Sequence, residues 1–312
     1  MTPKVSIVFT SYNHREFLRQ AVDSLLAQTF KDFELIIIDD CSTDGSQEIL
    51  KSYNDSRIRL VLKEENSGSY VTSTNYGASL ATAPYVIFAQ CDDWAEPTQI
   101  EKLISAIESH DVGVVFSCSK MVDENGHVLG EDFESRETKF KKTCGLDRVI
   151  PKEEMQRYFS FSCVIPNLSA ALIKRDLFEK MKGLSSHYLV LADWDLWLRM
   201  SFVCDFYYIR EPLNNFRQHA KTIRSSIKMQ KQIEELFMML FGQRRNFMNL
   251  SIIPTNAAAI WFLSAHDGFG TWCKSFVDIV KLGFKYTKGF GWYMITGCLK
   301  AISFYVSMKC WK

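Results

Sequence analysis

The sequence lacks several patterns that would place it in common classes of protein. Its nine cysteines are scattered, odd in number and without a C-x-x-C pair, which excludes a zinc knuckle and a disulfide framework and indicates a reducing compartment. The 37 basic and 36 acidic residues give a net charge of +1, so no general nucleic-acid footprint is expected. No G-x-G-x-x-G follows the first strand-like run, which argues against a dinucleotide-dependent dehydrogenase.

The start of the sequence does not show the pattern expected of a secretory leader, and no long apolar segment is expected to cross a membrane. The first four residues lead straight into a strand-like run, without the basic and apolar regions of a signal peptide. Near the C-terminus, residues 289–308 are interrupted by Lys300, and the apolar stretches on either side fall short of the roughly 20 residues that a membrane crossing needs. We therefore expect a cytoplasmic protein and exclude a membrane transporter.

The first half of the chain shows a regular alternation of strand and helix patterns. Short apolar runs alternate with segments of helical periodicity, which predicts a doubly wound α/β sheet. The Asn125-Gly126 pair predicts a type I′ hairpin turn that returns the chain antiparallel and makes the sheet mixed. The predicted strands include residues 5–9, 34–38, 58–62, 85–91, 112–122 and 204–209.

Two further segments have distinct compositions. Residues 130–147 are polar and charged with few apolar anchors, which favours a mobile flap over a regular element. Residues 271–312 hold seven lysines and one acidic residue, a net charge of 7 − 1 = +6, and are rich in aromatic residues. This basic segment is interpreted either as a helix on an anionic membrane surface or as a solvated helix whose aromatic residues pack on the main domain.

We divide the chain into three parts. Residues 1–110 and 111–225 are predicted to form the two halves of one sheet domain, and residues 226–312 a helical C-terminal region. The 47% hydrophobic content is sufficient for a substantial core.

Acidic residues cluster where predicted strands end. Asp39-Asp40 closes the run at 34–38, and Asp92-Asp93 follows the run at 85–91. In an open α/β sheet, ligands bind at the carboxyl ends of strands, so these carboxylates are candidates for one crevice. Magnesium and manganese prefer oxygen ligands, which suits Asp92 and Asp93. The alternative for Asp93 is that it caps the next helix.

A group-transfer reaction in this crevice needs a general base that activates the acceptor hydroxyl on the face opposite the leaving group. Asp193 is the candidate for this base. It stands at the predicted start of a helix, in the run Ala-Asp-Trp-Asp-Leu-Trp-Leu-Arg. The alternative interpretation is structural: Asp193 or Asp195 serves as the N-cap, with Arg199 as a helical partner.

Together these motifs resemble family 2 glycosyltransferases of the GT-A fold, over about residues 4–220. The resemblance rests on the order and spacing of short segments, each of limited specificity by itself. The segments are residues 5–13, 28–30, 33–46, 66–68, 75–77, 91–94, 193–199 and 216–219. It implies a GT-A sheet and an inverting transferase that uses a nucleotide-sugar donor. With the C-terminal region inferred from its own composition, the predicted fold is a GT-A sheet with a helical, basic C-terminal extension.

The resemblance also implies roles for individual residues. Thr10, Tyr12 and Asp40 would hold the nucleotide, UDP being expected first, and Asp92 would contribute to the same site. Asp92 and Asp93 would bind Mn²⁺ or Mg²⁺, Asp193 would be the catalytic base, and Arg217 and His219 would approach the diphosphate. The alternative for His219 is that it is a structural histidine without a role at the diphosphate. The expected acceptor is a glycan or lipid-linked glycan at the cytoplasmic membrane.

Two positions depart from the family pattern. Gln90 stands where an acidic residue two positions before Asp92 is common, and Ala192 stands where an acidic residue often precedes the base. These departures keep open an inactive relative that binds a nucleotide sugar or a partner glycosyltransferase as a scaffold. A nucleotidyltransferase is the other alternative, although residues 10–13 lack the glycine-rich phosphate loop expected of that class.

Overall fold

The computed structural model describes residues 2–136, 138–159, 162–219, 227, 229–242, 277 and 281. The chain divides into two compact units, Met1–Thr222 and Ile223–Lys312. The predictions for the basic segment 271–312 lie outside the described residues, apart from Val277 and Lys281. Of the helices that are described, none is long and apolar enough to pass through a lipid bilayer.

In the described part of the first unit, ten strands form one mixed sheet in the spatial order β3-β2-β1-β4-β9-β6-β10-β5, with β7 beside β6 and β8 beside β10. The mixed, doubly wound sheet predicted from the sequence is confirmed. The strands are β1 Val5–Ser11, β2 Phe33–Asp39, β3 Ile58–Leu62, β4 Tyr85–Gln90, β5 Trp94–Ala95, β6 Val114–Val122, β7 Val128–Glu131, β8 Arg148–Ile150, β9 Ala171–Lys174 and β10 Phe206–Arg217.

Helices connect the strands and cover the sheet. In the first unit they are α1 Arg15–Leu26, α2 Ser46–Lys51, α3 Tyr70–Ser79, α4 Gln99–Ser109, α5 Asp132–Ser135, α6 Thr138–Thr143, α7 Lys152–Phe159, α8 Arg175–Lys180 and α9 Ala192–Met200. The second unit contains α10 Met229–Gly242. A 3₁₀ turn at Leu168–Ala170 precedes β9.

The central strands are buried on both faces because their sequences are apolar without alternation. Every residue of β1 is buried, as is typical of a parallel strand covered by helices on both sides. Close packing requires a glycine at position 77 in α3, because a Cβ there would lie 2.5 Å from Cγ1 of Val8 and 3.1 Å from Cγ1 of Ile38. The helix can therefore approach β1 and β2 closely only without a side chain at Gly77.

The hairpin between β6 and β7 is present, but the predicted turn type is wrong. A type I′ turn requires positive φ at both central residues. Gly126 has a φ of 88°, whereas Asn125 keeps a negative φ. The Asp123 carboxylate accounts for this difference, because its Oδ1 accepts hydrogen bonds from the backbone N–H groups of Asn125 and His127, both at 2.9 Å.

The prediction of a flap without regular structure at residues 130–147 is also wrong for the described residues, since β7 ends in this segment and α5 and α6 lie within it. Two aromatic anchors hold it: Phe133 is 8% exposed and Phe140 is fully buried. Asp132, directly before Phe133, and Arg136 form a buried ion pair. Two rings and one internal charge pair are enough to fix a segment whose overall composition is polar.

Candidate active site

The carboxyl ends of several strands meet at one edge of the sheet. β1, β2 and β4 end in register, because Ser11 pairs with Asp39 and Thr10 with Gln90. β9 runs antiparallel to both β4 and β6, and β10 runs parallel to β6, so β6 and β10 point the same way as β4. Residues that follow these strands therefore share this edge, among them Tyr12, Asp40, Asp92 and His219.

The loops after β1 and β2 are joined by hydrogen bonds. Asn13 adopts a left-handed conformation with a φ of 52°. Its Oδ1 accepts from the backbone N–H of Thr43 at 2.8 Å, and its own N–H donates to Oγ of Ser42 at 2.9 Å. Asp39 completes the link, since its carboxylate accepts from the N–H and the hydroxyl of Ser42. Asp39 thus orients the loop that begins at Asp40.

Asp40 is a buried carboxylate with protein donors on both oxygens. Lys63 Nζ lies 2.6 Å from Oδ1, and the Ser67 hydroxyl donates to Oδ2 at 2.7 Å. Burial alone would raise the pKa of Asp40, but the hydrogen bonds from Lys63 and Ser67 outweigh it and hold that pKa below its ordinary value. The backbone N–H of Ser67 also lies 3.1 Å from Oδ1 and 3.2 Å from Oδ2. An ionised carboxylate accepts about four hydrogen bonds, so these three protein donors leave room for about one more, such as a donor on a nucleotide base.

Asp40→Asn is expected to destabilise the protein at neutral pH by about 1–3 kcal/mol, because Lys63 and Ser67 lose a charged acceptor. The lowered pKa of Asp40 means that its stabilisation is present above the unfolded pKa of about 3.9 and is lost as the pH falls through the lower folded value. Urea unfolding of wild type and variant between pH 3 and pH 7 (a range that runs from below to well above the unfolded pKa of roughly 3.9) should show a difference in unfolding free energy that narrows with acidification. Asp111→Asn, on an exposed side chain, is the control; a gap independent of pH would contradict the prediction.

The remaining nucleotide candidates occupy different positions on β1 and its loop. Thr10 is buried within β1. Tyr12 is 45% exposed, and its ring is therefore accessible to a stacking partner. The carbonyl oxygen of Tyr12 lies 2.7 Å from Nδ1 of His14.

Asp92 lies in a group of potential metal ligands. His14, Asp92 and His219 each offer one ligand atom, and these atoms lie within 4.8 Å of one another. Nε2 of His219 is 3.0 Å from Oδ2 of Asp92. The donor set suits a divalent cation, because imidazole nitrogen and carboxylate oxygen are both common ligands of such ions. His14 was not among the residues predicted from the sequence, although it directly follows the motif at 10–13.

Asp93 has different surroundings from Asp92. Its Oδ2 accepts hydrogen bonds from Asn167 and, at 2.9 Å, from the Ser169 hydroxyl, and its Oδ1 accepts from the Arg217 backbone N–H at 3.1 Å. Burial, and after it the charge of Asp92, raises the pKa of Asp93 well above its ordinary value. These contacts occupy both oxygens of the residue predicted as the second metal ligand, and the described ligand group contains His14 and His219 beside Asp92 instead.

The guanidinium of Arg217, predicted to approach a diphosphate, is buried among protein acceptors. It donates to the carbonyl of Asp92 at 2.9 Å, to the carbonyl of Glu124 at 2.7 Å and to Oε1 of Gln20 at 2.6 Å. It also stacks on two rings: its Cζ lies 4.3 Å from the ring centroid of Phe17 and 4.7 Å from that of Trp94. With these contacts Arg217 can position the Asp92 loop, which is a structural role.

Asp193 lies in the first turn of α9, and its Oδ1 accepts from the backbone N–H of Trp194 at 2.7 Å. Asp195 is buried and pairs with Nε of Arg199 at 2.7 Å. Arg199 reaches on to the carbonyl of Gly183 at 2.9 Å. Asp195 is therefore the residue that forms the i,i+4 ion pair with Arg199 considered from the sequence. Asp193 is half-buried.

Sequence comparison identifies relatives over the same region. Residues 6–182, more than half of the chain, match the profile described as Glycosyl transferase family 2. An uncharacterized glycosyltransferase of Methanocaldococcus jannaschii is 31% identical over 202 residues, which cover 63% of this chain and 64% of that protein. TuaG of Bacillus subtilis, a glycosyltransferase provisionally named for teichuronic acid biosynthesis, is 36% identical over 129 residues, or 41% of this chain and 51% of TuaG. The matches thus span less than two thirds of these relatives.

Structural comparison gives the same fold. The crystal structure of Staphylococcus aureus TarS, residues 1–349, in complex with UDP-GlcNAc has a TM-score of 0.69 and covers 89% of this chain and 81% of the TarS chain. The sequences are 17% identical, so this likeness establishes the fold alone.

Proposed function

The chain belongs to glycosyl transferase family 2 and has its GT-A sheet, and on this basis we propose that it transfers a sugar from a nucleoside diphosphate donor to a hydroxyl group of a glycan. The observation that carries the proposal is the grouping at one sheet edge. An accessible ring, an ionised carboxylate and a cluster able to hold a divalent cation follow the ends of β1, β2, β4 and β10.

UDP is proposed as the nucleotide. Tyr12 offers a ring face and Asp40 an acceptor for a base N–H, and a uracil ring can use both contacts. Support also comes from TarS, whose structure contains UDP-GlcNAc. A cell-surface polysaccharide is proposed as the acceptor, and the naming of TuaG for teichuronic acid biosynthesis supports this class.

In the proposed reaction, Asp193 accepts the proton of the acceptor hydroxyl as its oxygen attacks the anomeric carbon from the face opposite the leaving group. The new glycosidic bond forms as the bond to the diphosphate breaks, which inverts the configuration. Nucleoside diphosphate leaves with the electron pair of that bond.

Asp92 and His219, with His14, would hold a divalent cation beside the diphosphate. When bound, such an ion supplies positive charge that stabilises the leaving phosphate. Arg217 keeps the Asp92 carbonyl in place, and Asp93 anchors the backbone of Arg217 in return. In this proposal Asp92 binds the ion, whereas Asp93 supports the loop that carries Asp92.

Calorimetric titration with UDP, in excess Mn²⁺ and again in excess EDTA, tests the proposal. Wild type is expected to bind UDP at least about tenfold more tightly with metal, a difference of about 1.4 kcal/mol, and Asp92→Asn is expected to lose this dependence. Asp111→Asn, at the opposite edge of the sheet, is the control. UDP-sugars are then screened for release of UDP.

Failure to bind UDP in either buffer would contradict the proposed donor. Metal-dependent UDP binding without release of UDP from any sugar donor would instead favour a scaffold. Gln90 motivates that outcome, because an amide stands where the family commonly has an acidic residue two positions before Asp92.

A further inference from the structure

One motif residue, Asn75, has no part in the reaction described above. It lies in α3, and the N-terminal end of this helix adjoins the loop that contacts Asp40. The Ser67 hydroxyl donates to Oδ2 of Asp40 and lies 3.3 Å from the hydroxyl oxygen of Ser73 in α3. At Gly77 the same helix packs closely on β1 and β2. The helix α3 is therefore fixed to the nucleotide side of the proposed site.

The side chain of Asn75 forms two hydrogen bonds with one main-chain unit 109 residues later. Its Nδ2 donates to the carbonyl oxygen of Leu184 at 2.8 Å, and its Oδ1 accepts from the N–H of the same residue at 2.9 Å. Gly183 makes this approach possible, because a Cβ there would lie 2.5 Å from Oδ1 of Asn75. Gly183 also has a φ of 70°, which favours glycine.

The helix α9 holds the same turn from its other side. The guanidinium of Arg199 donates to the carbonyl oxygen of Met181 at 2.6 Å and to that of Gly183 at 2.9 Å. Its Nε pairs with Asp195 at 2.7 Å, within the helix. Asp193 lies in the first turn of α9. The turn at 181–184 thus connects Asn75 to the helix that carries Asp193.

We propose that Asn75 is a positioning residue, which fixes Asp193 relative to the nucleotide through the turn at 181–184 and α9. This inference rests on the proposed function, in which Asp193 is the base and the nucleotide lies at Asp40. A general base must lie within hydrogen-bond reach of the proton that it accepts, and a displacement of about 1 Å can lower a rate by about 10²-fold. Asn75 acts through the main chain of Leu184, so its role requires no contact with the substrate.

The substitution Asn75→Leu tests the inference, because it keeps the size of the side chain and removes both polar groups. With the sugar donor that wild type uses, kcat is expected to fall by about 10–100-fold, while UDP affinity stays within about twofold. In the Asp193→Asn background the same substitution should lower the remaining rate by less than about threefold, because the base that Asn75 positions is already absent. A general loss of folded protein would instead lower the rate by the same factor in both backgrounds.

The matched control is Gln28→Leu, because Gln28 makes a similar link elsewhere in the first unit. Its Nε2 donates to the carbonyl oxygen of Glu96 at 2.7 Å, and its Oε1 accepts from the N–H of Ile100 at 3.0 Å. Any loss of turnover in Gln28→Leu should be the same factor with and without Asp193→Asn.

The substitution Gly183→Ala tests the contact from its other side. The added Cβ would displace Oδ1 of Asn75, so kcat and UDP affinity should change as in Asn75→Leu. Hydrogen exchange measures the link without turnover. Asn75→Leu should speed the exchange of the amides of Leu184 and α9 and leave those of β1 unchanged.

These measurements separate the inference from the proposed function. Equal factors of loss in the two backgrounds, or unchanged exchange in α9, would overturn the inference and leave standing a sugar transfer shown by wild type. Release of UDP from no sugar donor would remove the proposed function. Faster exchange in α9 of Asn75→Leu would then still support the link through Asn75, and unchanged exchange would remove both.

Discussion

Asp193→Asn is expected to lower the rate of sugar transfer by about 10²–10⁴-fold, the range typical of removing a positioned general base. The amide keeps the size of the side chain and can still accept from the Trp194 N–H, which the structure places 2.7 Å from Oδ1 of Asp193. It cannot take the proton of an attacking hydroxyl. UDP affinity should therefore stay within about twofold of wild type, since the proposed role of Asp193 concerns the acceptor alone.

The control for Asp193 is a residue with the same local contact and no proposed chemistry. Asp176 lies in the first turn of α8, and its Oδ1 accepts from the Leu177 N–H at 2.8 Å. If Asp193 only capped its helix, Asp193→Asn and Asp176→Asn would have similar, small effects on turnover. Rates are measured as UDP release from the active donor, and an Asp193→Asn enzyme with wild-type turnover would place the base elsewhere.

The sheet and its binding edge could be predicted because they depend on local patterns. Apolar runs such as 34–38 predict buried strands, and parallel strands necessarily deliver Asp40 and Asp92 to one edge. The order of elements predicted the mixed sheet for the same reason. These inferences need no knowledge of which side chains meet across the fold.

Partnerships between distant residues could not be predicted in this way. Asp93 and Asp92 are neighbours in sequence, yet Asp93 is held by Asn167 and Ser169, 74 and 76 residues away. The sequence interpretation assigned both residues to the metal, with helix capping as the alternative for Asp93, because no local pattern shows which distant side chains contact Asp93. His14 was missed for a related reason: only the register of β1 and β4, with the path of β10, brings it to Asp92 and His219.

Segment 130–147 shows the limit of composition as a guide. Its average polarity predicted a flap, but Phe133 and Phe140 bury their rings, and Arg210 from β10 lies 4.0 Å above the ring of Phe133. Burial depends on a few well-placed side chains, and their partners lie elsewhere in the chain.

Arg217→Met is expected to destabilise the protein by about 3–5 kcal/mol, because three hydrogen bonds from a charged donor are lost, at about 1.5–3 kcal/mol for each such bond before compensation. Burial lowers the pKa of Arg217, while Asp93 and Asp92 oppose that effect, so the guanidinium is costly to bury and is retained through its partners. Methionine would fill the space between the rings of Phe17 and Trp94, but it would leave the Asp92 and Glu124 carbonyls without their donor.

The matched control is Arg210→Met on the same strand. Arg210 also stacks on a ring, Phe133, and pairs with Glu131 at 2.7 Å, but its side chain is 27% exposed. Water can replace its partners, so the expected cost is about 1 kcal/mol or less. Guanidinium unfolding measures the stability of both variants, and equal destabilisation would contradict a special role for Arg217.

Because Arg217 holds the Asp92 carbonyl, its loss should also weaken metal-dependent UDP binding in the protein that remains folded. Arg210→Met should not have this effect.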